Sequence, residues 1–366
     1  MARRPIQLDP PGEVIREELE ARDWTQSDLA KLMGRTVATV NEIVNGKRKI
    51  THRTAEQLEE AFGIDSGFWM RLELEYQESI RPEPRGVSEM SKLMNFAPIK
   101  EMQRRGWLPK TNSTPELRDA VLAFFQCSSL DEKPALAAAF RQSSDDLTIS
   151  HMAWCSYALR KSAAQKVSPF KSSKYDELRQ SLRELAAHKE GIRKVPSVLA
   201  DYGVRFVIVK HLRSTKIDGA TLWLDKDSKK QPVIALSLRY GRVDNFWFTL
   251  CHEVSHVFHR DSFRLDSDIA SATAGDETDE VEERANQEAA STLISPEEIS
   301  RFILRKQPYF SAKSIIQFAN RIKIHPGVVV GQLMYKKAIK YTHSTKMLEQ
   351  IREVINETAV SDGWTK

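Results

Sequence analysis

The chain is poor in the features that mark secreted and membrane proteins. Its 366 residues include 3 cysteines. Cys127, Cys155 and Cys251 are too far apart to suggest a disulfide framework or a cysteine-based metal site. No apolar run approaches the roughly 20 residues that span a bilayer, and the start of the chain lacks the apolar stretch of a secretory signal. We therefore expect a cytoplasmic protein with no membrane segment.

The charge of the chain is nearly balanced. Lysine and arginine exceed aspartate and glutamate by 55 to 50, which gives a net charge of +5. This excess is compatible with nucleic acid binding but is too small to indicate it alone. A content of 41% hydrophobic and 29% charged residues is typical of a folded globular protein. A chain of this length predicts two or three domains.

Hydrophobic periodicity predicts a helical half followed by a mixed half. Two prolines and a glycine at 81–86 interrupt the helical pattern and predict a hinge. Segments rich in β-branched and aromatic residues follow Pro196, and three of them are predicted strands: 204–209, 220–224 and 233–238. Helices are expected to resume near Asn245 and to continue to the end, apart from a mobile loop at 266–280.

These patterns predict a multidomain α+β protein. The predicted parts are an all-α helix-turn-helix domain over residues 1–80, a helical middle region over 81–190, an α+β domain over 191–340 and a helical tail over 341–366.

Two short helices near the N-terminus have the spacing of a helix-turn-helix. Thr25 is a predicted N-cap for a helix over 26–33, with Asp28 as a capping-box partner, and Gly34 ends this helix. Thr36 caps the next helix, which would present its N-terminal residues to base edges. Lys47 and Arg48 follow that helix and are placed for contact with phosphates. The alternative is a helical module that binds only protein.

The N-terminal region resembles the HigA-type antitoxins of the XRE repressor class over about residues 10–77. The resemblance rests on the segments PGEVIREEL at 11–19, TQSDLA at 25–30 and VNEIVNGKR at 40–48. It implies a homodimer that binds double-stranded operator DNA, with a cognate toxin as a further partner. The residues that it implies at the DNA are Gln26, Arg35, Thr36, Val37, Ala38, Thr39 and Asn41.

The segment FWFTLCHEVSH at 246–256 contains an HExxH pattern. Residues four apart lie on one face of a helix, so His252 and His256 can bind the same cation. Glu253 is then placed to act as a general base on a metal-activated water without being a ligand. Zinc suits two imidazoles because it accepts nitrogen ligands and a tetrahedral geometry. The alternative is a helix whose histidines are simply half-buried.

A third zinc ligand is expected from a helix over 282–295. Glu282, Ala285 and Ala289 share one face of that helix, and the two alanines would let it pack closely against the HExxH helix. Several neighbouring acidic residues are equally charged, but the stripe of small residues selects Glu282.

The C-terminal part resembles the ImmA/IrrE family of metallopeptidases over about residues 190–340, in the version fused to HigA-type regulators. The resemblance rests on LSLRY at 236–240, FWFTL at 246–250, HEVSH at 252–256, EERAN at 282–286 continuing to TLI at 292–294, and IHPGVVVGQL at 324–333. It implies a zincin-like α+β peptidase domain, with His252, His256 and Glu282 as zinc ligands and Glu253 as the base.

The chain departs from that family at three positions. Ser255 belongs to a Val-Ser pair where a glycine-containing pair is usual, Glu288 stands where an aromatic residue is usual, and Ser295 stands where proline is common. None of these departures removes a ligand, but Glu288 leaves the packing of its helix undetermined.

Other residues near the motif have weaker claims to a role. His259 is expected to support the site or lie at the surface rather than to bind metal. His325 is expected to cap a helix or lie at the surface rather than to stabilise an oxyanion. Cys251 is expected to be buried packing, and Tyr240 is a candidate transition-state donor. The strand containing 219–222 is expected to pair with an extended peptide substrate by edge addition.

Two main functions fit these observations. The first is a transcription regulator with zinc-dependent endopeptidase activity, which would cleave a regulatory protein such as a partner repressor, a toxin or the chain itself. The second is an antitoxin-like repressor whose zinc domain senses metal or binds a partner without catalysis. An intact Glu253 favours the first, since a structural site needs no base. Hydrolysis of a non-peptide amide is a third possibility.

Overall fold

A computed structural model of the chain describes residues 10–80, 85–132, 134, 136, 148–213, 215–225, 228–262, 264–267 and 280–364. Residues 81–84, within the predicted hinge, and 268–279, within the predicted loop, lie outside this range. The chain divides into two units, Met1–Ser88 and Glu89–Lys366. In the described part of the chain, no helix is long and apolar enough to cross a membrane.

The first unit is entirely helical where it is described. Its helices are α1 (Pro11–Ala21), α2 (Gln26–Leu32), α3 (Val37–Val44), α4 (His52–Phe62) and α5 (Ser66–Ile80). They enclose a separate core that includes Ile15, Leu58 and Trp69. Helices α1 and α3 pack closely because Gly12 has no side chain: a Cβ atom there would lie 1.9 Å from the carbonyl oxygen of Val44.

The second unit combines helices with one small sheet. Its helices are α6 (Arg85–Phe96, beginning before the unit boundary), α7 (Ile99–Arg104), α8 (Thr114–Phe125), α9 (Ile149–Ser162), α10 (Tyr175–Leu185), α11 (Val195–Asp201), α12 (Val243–Phe258), α13 (Glu280–Leu293), α14 (Pro296–Lys306), α15 (Ala312–Ile322), α16 (Pro326–Tyr335) and α17 (Arg352–Asn356). Short 3₁₀ helices occur at Ser172–Lys174, Lys189–Lys194 and Thr345–Met347.

The sheet has five strands in the order β4-β2-β3-β1-β5. The strands are β1 (Arg205–Ile208), β2 (Ile217–Trp223), β3 (Pro232–Leu236), β4 (Arg264–Ser267) and β5 (Val360–Ser361). Strand β1 runs parallel to β3 and β5, whereas β2 runs antiparallel to β3 and β4. Every residue of β2 and β3 is buried. The two strands are therefore covered on both faces, which explains their continuous apolar sequences.

Helix α12 lies at the centre of the second unit. Almost all of its residues are buried, and it packs against β2, β3, α13 and α16. One hydrophobic core surrounds α12 and includes residues from Leu93 to Ile355. It contains residues from both sides of position 190, the boundary predicted from the sequence between the helical middle region and the α+β domain. The HExxH residues are therefore carried by an element that the rest of the unit encloses.

The structure confirms a mainly helical chain with a small mixed sheet, but helices do not continue to the end. Residues 264–267, within or just before the predicted loop, form β4 beside β2. In the predicted helical tail, the helix covers only Arg352–Asn356, and Val360 and Ser361 pair with Val207 and Ile208 of β1. Strands this short contain no measurable alternation, and only the neighbouring strand determines their structure.

Candidate metal centre and nucleic-acid interface

Three side chains converge where α12 meets α13. The Nε2 atoms of His252 and His256 are 3.0 Å apart. One carboxylate oxygen of Glu282, Oε2, lies 3.2 Å from Nε2 of His252 and 3.5 Å from that of His256. Both imidazoles are fully buried. The structure thus brings together the three residues that the sequence predicts as ligands, with donor atoms within 4.8 Å of one another.

The donor set fits a zinc ion in both chemistry and spacing. Ligands about 2.0–2.1 Å from a tetrahedral zinc ion lie roughly 3.3 Å from one another. The observed separations of 3.0, 3.2 and 3.5 Å bracket that value. Two imidazole nitrogens and one carboxylate are also the ligands found in zinc hydrolases, which leave a fourth position for water or substrate.

Two side chains orient the imidazoles. Nδ1 of His252 lies 3.1 Å from Oδ1 of Asn286, and Nδ1 of His256 lies 2.8 Å from Oδ2 of Asp261. Because each Nδ1–H donates to an oxygen, the neutral form of each imidazole has its Nε2 lone pair directed to the centre of the cluster. Burial acts to raise the pKa of Asp261, but the hydrogen bond to His256 and the charges of His256, Arg284 and Arg264 together outweigh this effect and lower it. Arg284 also binds the Asp261 carboxylate.

Glu282 is held as a carboxylate. Burial acts to raise its pKa, but hydrogen bonds from His252 and His256 in their protonated forms, together with the charges of those rings, outweigh that effect and keep it well below its usual range. Nη1 of Arg264, on β4, lies 3.5 Å from Oε1 of Glu282. The charge of Glu282 is therefore balanced from both sides.

Glu253 is fully buried on the side of α12 that faces β2. The hydroxyl of Thr221 donates to Oε2 of Glu253 at 2.7 Å and to its backbone oxygen at 3.1 Å. The other carboxylate oxygen lies against Gly219, where an added Cβ atom would be 2.2 Å from it. Two residues of β2 therefore position the Glu253 carboxylate: Thr221 donates a hydrogen bond to it, and Gly219 leaves the space that it occupies.

Ser255 and Glu288, two positions at which the sequence departs from the pattern of the predicted peptidase family, are in direct contact. Ser255 donates to Oε2 of Glu288 at 2.6 Å, and Tyr175 donates to the same oxygen at 2.5 Å. Nε2 of His259 lies 3.0 Å from Oε1 of Glu288. Burial and the neighbouring Glu288 raise the pKa of Tyr175. These contacts account for the packing that the sequence left undetermined.

The remaining candidates take supporting positions. His259 lies partly exposed at the end of α12 and is outside the three-donor cluster. Nδ1 of His325 accepts a hydrogen bond from the backbone N–H of Gly327, so the expected capping role is confirmed. Cys251 is buried as expected, and burial raises its pKa to about 12. Tyr240 lies beside the guanidinium groups of its neighbours Arg239 and Arg242.

The predicted pairing of a substrate peptide with β2 is wrong in its choice of strand. β4 already occupies the edge of β2, with Ala220 opposite Leu265 and Thr221 opposite Arg264. β2 is therefore an interior strand, and the edge on that side belongs to β4.

Sequence reasoning missed the residues that support the cluster. Asn286 follows Glu282 by four residues, so helical spacing places it on the same face and could have identified it. Asp261, Thr221 and Gly219 lie in other elements and have no local pattern that connects them to the motif. They reach it only through the packing of α12 on the sheet and the turn that follows α12.

The predicted helix-turn-helix is stabilised by its caps. The hydroxyl of Thr25 accepts from the N–H of Asp28 at 3.3 Å, and the Asp28 carboxylate accepts from the N–H of Thr25 at 3.0 Å. The hydroxyl of Thr36 accepts from the N–H of Thr39 at 3.2 Å. Gly34, between the helices, has φ +61°, a conformation that favours glycine. The capping box at Thr25 is thus complete.

The predicted DNA-contacting residues surround the start of α3. Thr36, Val37, Ala38 and Asn41 are exposed. Nδ2 of Asn41 donates to Oε1 of Gln26 at 3.1 Å, which joins the start of α2 to α3. These side chains therefore form a continuous surface with both polar and methyl groups.

The basic residues differ in how freely they are presented. Nε of Arg35 donates to Oε1 of Gln57 at 2.7 Å, so this guanidinium links the turn before α3 to α4. Arg48 lies 3.7 Å from Glu42 and donates to Thr39 at 3.4 Å. Lys47 is exposed. Of these three, Lys47 has the position most suited to a phosphate contact.

Comparison with known proteins identifies the first unit. Residues 15–69 match the family described as helix-turn-helix. The chain is 36% identical over 70 residues to virulence-associated protein A' of Dichelobacter nodosus, covering 19% of this chain and 61% of that relative. It is 37% identical over 67 residues to virulence-associated protein I of the same organism, covering 18% and 62%. No solved structure is significantly similar to the chain.

The matches confirm the predicted XRE-type helix-turn-helix at the N-terminus and support a DNA-binding regulator. The chain spans about three fifths of the length of these curated relatives. Because they share only a segment of this chain, they provide no information about the cluster on α12 and α13.

Proposed function

We propose that the chain is a DNA-binding transcription regulator, antitoxin-like, with zinc-dependent endopeptidase activity. The DNA-binding part is supported by the helix-turn-helix match and by the exposed surface at the start of α3. It binds a double-stranded operator as a homodimer of the HigA type, and a cognate toxin is a further partner. The peptidase part has a zincin-like fold and cleaves a regulatory protein: a partner repressor, a toxin or the chain itself.

One observation carries the peptidase proposal: the donor atoms of His252, His256 and Glu282 converge within 4.8 Å. These residues would hold the zinc ion, with Asn286 and Asp261 orienting the imidazoles. When bound, zinc supplies Lewis-acid activation of water and of the peptide carbonyl.

Glu253 is the proposed general base. Its carboxylate accepts a proton from the attacking water and then returns the proton to the leaving amine. Thr221 and the space at Gly219 hold the carboxylate in one position, so little reorganisation is needed. A purely structural zinc site has no need of such a buried, positioned carboxylate.

Metal content of the purified full-length protein tests the site directly. We expect about one zinc ion per chain in the wild type and loss of zinc in His256→Ala. His259→Ala is the matched control, because His259 lies on the next turn and contacts Glu288 instead. It should retain zinc. Absence of zinc from the wild type after zinc is supplied would contradict the peptidase proposal and leave a DNA-binding regulator.

Glu253→Gln tests the chemistry separately. Intact-mass measurement of the zinc-loaded protein, incubated alone and with co-purifying proteins, should show cleavage in the wild type and none in Glu253→Gln. Full zinc content with no Glu253-dependent cleavage of any protein would instead support a repressor whose zinc domain senses metal or binds a partner.

A further inference from the structure

A cleft lies next to the three-donor cluster, along the first half of α12. It opens to solvent, and the unfilled space between and in front of its walls is about 550 Å³, open solvent included. Its walls include Asn245, Phe248, Leu293, Gln332, Tyr335 and Tyr341.

The cleft and the cluster share one face of α12. Asn245 precedes His252 by seven residues, which is two turns of the same face and about 10 Å along the helix. Between them, the ring of Phe248 lies 6.4 Å from that of His252 and 5.9 Å from that of Tyr335. A large side chain of a peptide held at the cluster would therefore reach the cleft.

Two carbonyl oxygens of the cleft residues lack hydrogen-bond partners among the described residues: Oε1 of Gln332 and Oδ1 of Asn245. Gln332 is 5% exposed, and its Nε2 donates to the backbone oxygen of Ala290 at 2.8 Å. This bond determines which end of the Gln332 amide is the oxygen. Buried acceptors in native proteins are almost always satisfied. These two acceptors, on residues that line one cleft, could be satisfied by a ligand that brings N–H donors.

The charges beside the cleft favour a neutral ligand. Arg242 binds Asp244 through two hydrogen bonds, of 3.1 Å and 2.6 Å. The negative charge of Asp244 is therefore already neutralised and offers little to a cationic ligand. The positive charge of Arg242 is likewise occupied by Asp244 and offers little to an anionic ligand.

We propose that this cleft is a specificity pocket of the proposed peptidase, and that it binds a large, neutral substrate side chain with an N–H donor. The inference rests on the proposed function. Phe248, Tyr335 and Tyr341 provide aromatic surface, which suits a flat ring. Tryptophan combines such a ring with one neutral N–H and is the side chain that the cleft fits best.

Binding is measured first, with no need for catalysis. The probes are N-acetyl-tryptophanamide and its benzothienylalanine analogue, which has nearly the same shape without the N–H. They are titrated by calorimetry or ligand-observed NMR into the full-length Glu253→Gln protein. We expect the tryptophan probe to bind about three- to tenfold more tightly. Adding Asn245→Leu should remove this difference, whereas Leu304→Ser, at an exposed position on α14, should preserve it.

Cleavage is measured second, on zinc-loaded wild type with a peptide library varied at one position. Preferred cleavage beside tryptophan, reduced by Asn245→Leu, supports the proposal. Equal binding of the two probes, no binding of either, or cleavage without a preference for tryptophan overturns it. Selective, Asn245-dependent binding without cleavage of any peptide would retain the pocket as a ligand site and reject the peptidase function instead.

Discussion

Ser255 on α12 donates a hydrogen bond of 2.6 Å to Glu288 on α13. These are two of the positions at which the sequence departs from the pattern of the predicted peptidase family, where a glycine-containing pair and an aromatic residue are usual. A buried hydroxyl and a carboxylate replace that packing with a polar contact. Since Ser255 is adjacent to His256, this contact fixes α12 to α13 immediately behind the proposed zinc ligands.

A double-mutant cycle should show that Ser255 and Glu288 act as a pair. Ser255→Ala removes one of the three side chains that bind the half-buried Glu288, and Glu288→Ala leaves the buried Ser255 hydroxyl without this acceptor, so each single change destabilises. We expect a coupling energy of about 1–2 kcal/mol, because the acceptor is charged. Denaturant unfolding of the four proteins measures it. Additive losses would show that the contact contributes no stability, and zinc content should be unchanged because neither residue is a proposed ligand.

Local spacing explains how much of the site could be predicted from the sequence. The separation of His252 and His256 is a property of one helix, and the alanines of α13 indicated that Glu282 faces α12. Both depend on periodicity alone. The caps at Thr25 and Thr36 were also predictable, because a cap depends on residues within three positions of one another.

The residues that support Glu253 and the order of the strands could not be predicted, because they depend on contacts between distant segments of the chain. Thr221 and Gly219 reach Glu253 only because β2 packs on α12, and no spacing in the sequence encodes that contact. The wrong choice of β2 as a substrate edge has the same origin. Residues 266 and 267 of β4 fell within the loop predicted from composition, although pairing with β2 makes them part of a strand.

The residues that orient the imidazoles should control zinc affinity. Asp261→Asn and Asn286→Ala keep all three proposed ligands but weaken or remove the acceptors for Nδ1 of His256 and His252. We expect each change to weaken zinc binding by about 10- to 100-fold. Competition with a fluorescent chelator measures this affinity. Glu283→Gln, next to Glu282 and exposed, is the control, and an equal loss in that variant would mean that the effect is not specific to the imidazoles.

Gly219→Ala should separate the proposed base from the proposed metal site. The new Cβ atom would lie 2.2 Å from Oε1 of Glu253, so the carboxylate must move by about 1 Å. A displacement of this size is expected to reduce cleavage roughly 100-fold while zinc is retained. Thr221→Ser keeps the hydroxyl that binds Glu253 and should preserve most of the rate. Full activity of Gly219→Ala would show that the position of Glu253 is not critical.

Base-reading and phosphate contacts in the first unit should respond differently to substitution. Asn41→Ala removes an exposed amide that bonds to Gln26 and should cost about 1–3 kcal/mol on an operator selected from random DNA, with little effect on unrelated DNA. Lys47→Ala should weaken binding to both and lower the salt dependence by about one counterion. Lys110→Ala, with the same charge change in the second unit, is the control. If Lys110→Ala weakens DNA binding as much as Lys47→Ala does, the effect of Lys47→Ala comes from net charge and not from a phosphate contact.

His325 gives the second unit a pH-dependent helix cap. Its Nδ1 accepts from the N–H of Gly327 at 3.0 Å, and its Nε2 lies 3.2 Å from Oε1 of Glu349. Burial lowers the pKa of His325, Glu349 acts to raise it, and Lys189 and His188 add to the lowering. The cap therefore requires the neutral imidazole.

Because the folded-state pKa of His325 lies below its unfolded value of about 6.5, its contribution to stability is present above pH 6.5 and is lost as the pH falls through the folded-state pKa. His325→Asn supplies a carbonyl acceptor that does not titrate. We expect it to match wild-type stability at pH 7.5 and to lose less on acidification. His325→Ala should be less stable than wild type by about 1 kcal/mol at pH 7.5 and by a smaller amount at pH 5.5, where the wild-type cap is weakened. Denaturant unfolding at pH 7.5 and 5.5 measures the free energy of unfolding of each protein. If wild type and His325→Asn lose the same free energy on acidification, the pH dependence belongs to other groups.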